Sequence, residues 1–221
     1  MSNINSRFQF IICGTDTDIG KTLISSFFVR GLNSFYWKPI QSGIEAQTDS
    51  QIIEKLAKVN KEKIINEAYV FTKPLSPHWA AEIDQKNINF DLLTLPKVNG
   101  SLIVETAGGL MVPITRNYLQ IDQIKEWGLP VILVCKSTLG TLNHTLLSIE
   151  ALQKRSINIL GLVVNGKKHL DNPKTLVEFT GLPIIAEFPF IQKIDSNNLD
   201  ILWKELNIKN KLVSILKSKK A

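Results

Sequence analysis

The chain is poor in the residues that staple, anchor or metallate a protein. Its 221 residues include two cysteines, Cys13 and Cys135. Each closes an apolar run, which reads as a buried reduced thiol rather than part of a disulfide framework and points to the cytoplasm. The histidines His78, His144 and His169 stand at no metal-ligand spacing with the cysteines, so no zinc site is expected. No stretch reaches the roughly 18 consecutive apolar residues of a membrane span. The start of the chain lacks a charged group followed by an apolar segment, so the expectation is a soluble protein with no membrane partner. Long repeats, low-complexity linkers and glycine-serine hinges are also missing. That favours one domain over residues 1–221 with a core of its own.

Concentrated charge is scarce too. The net charge is +6, yet the basic residues are scattered, and the densest group is Lys209, Lys211, Lys217, Lys219 and Lys220. This reads as a solvated, polar, basic tail at 208–221, so no nucleic-acid partner is expected. The remaining charge suits an anionic small molecule.

Apolar, β-branched-rich runs are present at Phe8–Cys13, Ser34–Ile40, Ser101–Glu105, Val131–Cys135 and Ile157–Asn165, with a shorter one at Pro183–Glu187. They read as buried parallel strands. Helical spacing lies between them, at Leu23, Ile24, Phe27 and Phe28 and again at Leu142, Leu146 and Ile149. The alternation predicts an α/β fold whose mostly parallel sheet is covered by helices on both faces, with ligands bound beyond the carboxyl ends of the strands. Residues 41–100 are less regular. A helix near Asp49–Val59 and a loop at Lys73–His78 suggest an excursion that covers the substrate.

The stretch Gly14-Thr15-Asp16-Thr17-Asp18-Ile19-Gly20-Lys21-Thr22 follows the first strand and precedes the first helix. In that setting glycine lets backbone amides close on phosphate oxygens, the helix start adds partial positive charge, Lys21 neutralises the β- and γ-phosphates and Thr22 can ligate magnesium. Five residues separate Gly14 from Gly20 where the usual pattern has four, so a glycine-rich turn with an incidental Lys-Thr is the competing reading. Lys38, near the end of the second run, either stabilises charge at the phosphates or snorkels to solvent. Glu105 ends a buried strand before Gly108 and Gly109, as a ligand-facing acid or a plain strand-end acid. Asp49 is either a magnesium ligand with Thr22 and Glu105 or the N-cap of its helix. Residues 137–144 form either a second anion site or an ordinary helix start capped by Thr141 or Asn143. Asn165 can present a donor and an acceptor to a purine or sit in a turn before Gly166.

Together these segments resemble dethiobiotin synthetase, an ATP-dependent carboxylase family on the P-loop NTPase fold. The likeness rests on the long phosphate loop Gly14–Thr22, on Lys38-Pro39-Ile40-Gln41-Ser42-Gly43, on Ser76-Pro77-His78, on Glu105-Thr106-Ala107-Gly108-Gly109 and on Leu139–His144. Thr106 departs from the pattern, since the family more often has glycine there, and it could narrow the pocket. The resemblance implies closure of a cyclic urea from 7,8-diaminononanoate and carbon dioxide with cleavage of ATP, magnesium as cofactor, and Lys38 and Lys21 as catalytic residues. It implies diamine contacts at Ser42 and Thr17 and at the tail segment Gly140, Thr141, Leu142 and Asn143. Nucleotide contacts are implied at Asp18, Ile19, Gly20, Lys21, Thr22 and Leu23, at Asp49, Glu105, Thr106, Ala107 and Gly108, and near the adenine at Asn165, Gly166, Phe188, Pro189 and Phe190. Thr22, Asp49 and Glu105 are the implied metal ligands. The resemblance also implies a homodimer in which the substrate tail reaches the neighbouring subunit.

Two rivals share the fold. A switch ATPase of the partition or cell-division type usually carries an early loop lysine, where this chain has Thr15-Asp16-Thr17-Asp18. A cobyrinic-acid amidase carries a glutamine-handling domain for which 221 residues leave no room.

Overall fold

A computed structural model describes residues 7–44 and 47–218. In chain order the elements are β1 (Gln9–Gly14), α1 (Lys21–Leu32), β2 (Phe35–Trp37), β3 (Ile40–Ser42), α2 (Asp49–Ala57), β4 (Ile64–Ile65), β5 (Tyr69–Phe71), α3 (Pro77–Ile83) and β6 (Leu102–Glu105). They continue with β7 (Pro113–Thr115), β8 (Tyr118–Leu119), α4 (Gln120–Trp127), β9 (Val131–Lys136), α5 (Thr141–Lys154), β10 (Ile159–Asn165), α6 (Asn172–Thr180), β11 (Ile184–Phe188), α7 (Ser196–Glu205) and α8 (Ile208–Ser218).

Seven strands form one sheet in the order β11-β10-β9-β1-β6-β2-β4, and every pairing in it is parallel. Side chains alternate across β1 because successive Cβ atoms point to opposite faces. Phe10 and Ile12 join a cluster with Phe27 and Phe28 of α1, Ile53 of α2, Leu199 of α7 and Leu212 of α8. Ile11 and Cys13 join the opposite cluster with Ile124 of α4, Ile149 of α5 and Leu176 of α6. Both faces are therefore covered, as the continuous apolar runs require. Both cysteines are buried and free, and burial pushes the Cys13 thiol up to about 12.

The run Ser34–Ile40 breaks into two strands. Proline cannot donate to a ladder; after Trp37 the chain passes through Lys38 and Pro39, and β3 leaves the main sheet to pair with β5. In the excursion over 41–100, Phe71, Ala80 and Leu93 build a small separate core together with Ile40 and Ile114. The expected polar tail needs correction: residues 208–218 are helix α8, with Ile208 and Leu212 buried and Lys211 Nζ donating to Ile185 O at 3.1 Å. Lysines on the outer face of an amphipathic helix hide its apolar stripe from a reading based on charge. Lys219 and Lys220 lie outside the described residues.

Candidate active site

The sheet order puts β1 between β9 and β6, so the loop after β1 emerges beside the carboxyl end of β6. Ile19 of that loop turns into the core, and its side chain fills the space that a Cβ on Gly14 would need. The chain then passes through Asp18 at φ 53° and Gly20 at φ 91°, both left-handed, before α1 begins. Gly20 caps the helix without a side chain, which leaves first-turn N–H groups for an anion. Asn165, at the end of β10, braces the loop by donating from Nδ2 to Ile19 O at 2.8 Å, and the same amide would collide with any Cβ on Gly20. The turn alternative for Asn165 is thereby replaced by a loop contact.

Behind the loop, four polar side chains converge. Thr22 Oγ1 lies 2.7 Å from Asp49 Oδ1 and 2.9 Å from Glu105 Oε1. Lys38 Nζ donates to Asp49 Oδ2 and, at 3.2 Å, to Glu105 Oε1. Glu105 is fully buried, and Tyr36 OH donates to its other oxygen, Oε2, at 3.0 Å. Burial disfavours the charge on Lys38, but Glu105 and Asp49 outweigh it and hold the ammonium above its ordinary value. Burial likewise acts against ionised Asp49, and Lys38 more than offsets it, so the carboxyl sits below its usual range. Lys21 behaves differently. Burial pulls its ammonium down, Glu105 opposes and Lys38 adds to the fall, while its Nζ donates to Asp16 O at 2.8 Å.

Asp49 is not the N-cap of its helix. Thr48 takes that role in a capping box with Gln51, which leaves the Asp49 carboxylate free to meet Thr22 and Lys38. Gln41 holds the start of α2 in place, accepting from Asp49 N at 3.2 Å and donating to Gly43 O at 3.2 Å. These groups line a cleft of about 770 Å³ together with Thr17, Asp18, Gly20, Ser42, Ala107, Gly108 and the turn at Pro74–Pro77. Ser42 Oγ is buried there with no hydrogen-bond partner among the described residues.

A family model described as an AAA domain matches residues 9–198. The chain is 43% identical over 196 residues to the ATP-dependent dethiobiotin synthetase BioD of Brucella anthropi, covering 89% of this chain and 92% of that one. It is 44% identical over 191 residues to the protein of the same name from Lawsonia intracellularis, covering 86% and 92%. The chain belongs to the dethiobiotin synthetase family. Among solved structures, a ParA family ATPase from Chlorobium tepidum is similar at a TM-score of 0.56 and 12% identity, covering 96% of this chain and 99% of that one. A putative plasmid partition protein from Borrelia burgdorferi is similar at 0.52 and 14%, covering 97% and 100%. At such identity the likeness is one of fold.

Several residues implied by the family lie outside the cleft. Thr106 is buried and does not line it, because its N–H and its hydroxyl both turn to Ile12 O, at 3.1 and 3.4 Å. Leu23 packs against the core. Phe188 is fully buried with its ring edge-on to Phe27, so only its backbone is available near the loop, where its carbonyl accepts from Gly166 N at 2.9 Å. Pro189 and Phe190 are exposed. Gly140, at φ 89°, caps α5 without a side-chain bond, and Thr141 Oγ1 donates back to Lys136 O, so neither Thr141 nor Asn143 is the cap. Asn143 is exposed and Leu142 half-buried. A shallower groove of about 410 Å³ runs between Thr15–Thr17 of the loop and His144 and Leu147 of α5.

Two contributors escaped the sequence reading. Tyr36 in a strand looks like an ordinary core aromatic, and Gln41 acts on a backbone amide eight residues away. Neither carries a local signature.

Proposed function

We propose that the chain closes the cyclic urea of dethiobiotin from 7,8-diaminononanoate and carbon dioxide, converting ATP to ADP and phosphate. The observation that carries this reading is the convergence of Lys38, Asp49, Glu105 and Thr22 immediately behind the phosphate loop. One amine of the diamine captures carbon dioxide and loses a proton, giving a carbamate. A carbamate oxygen attacks the γ-phosphorus and ADP leaves, which yields a carbamic-phosphoric anhydride. The second amine then attacks the carbamate carbon, phosphate departs and the ring closes. Nothing in this sequence requires a covalent bond to the protein, so positioning and charge stabilisation do the work.

Each residue has a task in that scheme. Lys21 neutralises the β- and γ-phosphates and first-turn amides of α1 bind their oxygens. Lys38, kept charged by its two carboxylates, offsets the negative charge shared by carbamate and transferring phosphoryl group. Ser42 and Thr17 face the cleft as hydrogen-bonding groups for the diamine or carbamate.

The donors Thr22, Asp49 and Glu105 fit magnesium. They are hard oxygens gathered around Thr22 Oγ1, the donor type magnesium prefers, with capacity left for phosphate oxygens and water. Among the described residues there is no cluster of three or more His, Cys, Asp or Glu side chains suited to a metal. Magnesium held by Thr22, Asp49 and Glu105 would supply charge neutralisation of the phosphates. The enzyme functions in the cytoplasm as a homodimer, with Gly140–Asn143 receiving the carboxylate tail of a diamine bound in the neighbouring copy. The position of those residues outside the cleft and the lack of a side-chain cap at the start of α5 support that arrangement. Among the described residues no helix is long and apolar enough to cross a membrane.

With ATP and magnesium present, diaminononanoate plus bicarbonate is expected to accelerate phosphate release strongly in a coupled phosphate assay. Release that ignores the diamine would overturn the proposal, and release driven by DNA would favour a nucleotide switch.

A further inference from the structure

Tyr36 is fully buried, and a buried phenol ordinarily joins the core through its ring while its hydroxyl finds some partner. Here that partner is Glu105 Oε2 at 3.0 Å, while the other oxygen of the same carboxylate, Oε1, receives both Thr22 and Lys38. The register explains the meeting. β2 and β6 are parallel neighbours with Tyr36 beside Ile103, and side chains two apart on a strand share a face. Tyr36 and Lys38 from one strand path therefore both reach Glu105, from behind and from the cleft side respectively.

We infer that Tyr36 is a positioning residue for magnesium: its hydroxyl ties down Glu105 Oε2, so that Glu105 offers the metal one oxygen, Oε1, in a fixed orientation beside Thr22 and Asp49. This rests on the reading of Glu105 as a metal ligand. A carboxylate with no exposed surface must have its outward-facing lone pairs satisfied. Removing the phenol oxygen leaves Oε2 in the core without its donor, and Glu105 turns to seek another. Groups that orient a metal ligand in this way typically change metal affinity by about 10- to 100-fold when removed.

The test titrates magnesium calorimetrically into protein holding a non-hydrolysable ATP analogue. Tyr36→Phe is expected to weaken magnesium binding by about 10-fold or more, leave analogue affinity in the presence of a chelator unchanged, and recover most of kcat at high magnesium. Unchanged magnesium affinity in Tyr36→Phe beside a weakened Glu105→Gln would overturn the positioning role while sparing the metal ligand. Unchanged affinity in both variants would overturn the ligand reading and the inference with it. A fluorotyrosine placed at position 36 keeps the phenol and the fold. Its fluorine resonance is expected to shift when magnesium joins the analogue complex, and a resonance that stays fixed would overturn the inference even if Tyr36→Phe did not fold.

Discussion

Lys38 sits almost wholly inside the protein with its charge intact because two carboxylates share it. That pairing separates its two duties. The carboxylates keep it ionised, and in the proposed mechanism its position behind the phosphate loop makes the charge available to the reaction. Lys38→Ala is expected to retain ATP binding, which Lys21 and the α1 amides carry, while ring closure falls by on the order of 100-fold or more. Equilibrium nucleotide titration beside steady-state ring closure separates the effects, and near-normal turnover would remove Lys38 from the catalytic set. The same residue shows how far a sequence reading extends at this scale. A lysine or glutamate that ends an apolar strand is conspicuous, so Lys38 and Glu105 stood out as candidates, but each also had a bland reading until their shared contacts were seen. Asp49 was ambiguous because a cap and a ligand use the same residue type, and only the neighbouring Thr48 decides between them.

Helices α1 and α7 cross where Gly31 meets Trp203. A Cβ on Gly31 would overlap the indole ring, and that ring is hemmed in by Phe27 and Phe28 at centroid distances of 5.1 and 5.9 Å. Alanine gains about 1 kcal/mol of helix propensity over glycine, whereas forcing an atom into a filled core costs about 1–3 kcal/mol. Gly31→Ala is therefore expected to destabilise the protein, seen as a lower denaturant midpoint together with altered tryptophan fluorescence. A higher midpoint would show that Trp203 moves aside freely. The glycine itself gave no hint in the sequence, since the indole that requires it lies far along the chain. The long strands β1, β9 and β10 were legible because burial on both faces writes an unbroken apolar run. The two-residue strands β4 and β8 carry no pattern, and pairing alone defines them.

The cleft at Lys38 and the groove beside the first turn of α5 are neighbours that share Thr17, and the proposed homodimer would set the tail of a diamine bound in one copy against the α5 start of the other. Mixing protomers tests this directly. Asn143→Ala is expected to impair use of the diamine tail without touching Lys38, and Lys38→Ala does the reverse. Scrambled dimers of the two variants would hold one unaltered site in each mixed pair, or about a quarter of all sites. Activity at low diamine should rise correspondingly above that of either variant alone. A mixture no better than its components would mean that each copy holds a complete site. The fold was legible at this scale from alternation alone, whereas the proposed sharing of a substrate tail between two copies came only from the family resemblance. It depends on how copies meet, which strand and helix periodicity does not encode.

The sharing of Lys38 between Asp49 and Glu105 also governs how ions enter. The acidic pair already has a counterion of its own, so a bare cation would have to displace an ammonium and leave it without its two carboxylate partners. A cation arriving with phosphate oxygens brings the displaced ammonium a replacement partner. On the proposed reading the cleft would act as an ion exchanger loaded with an internal salt, taking up its cation only in the company of an anion.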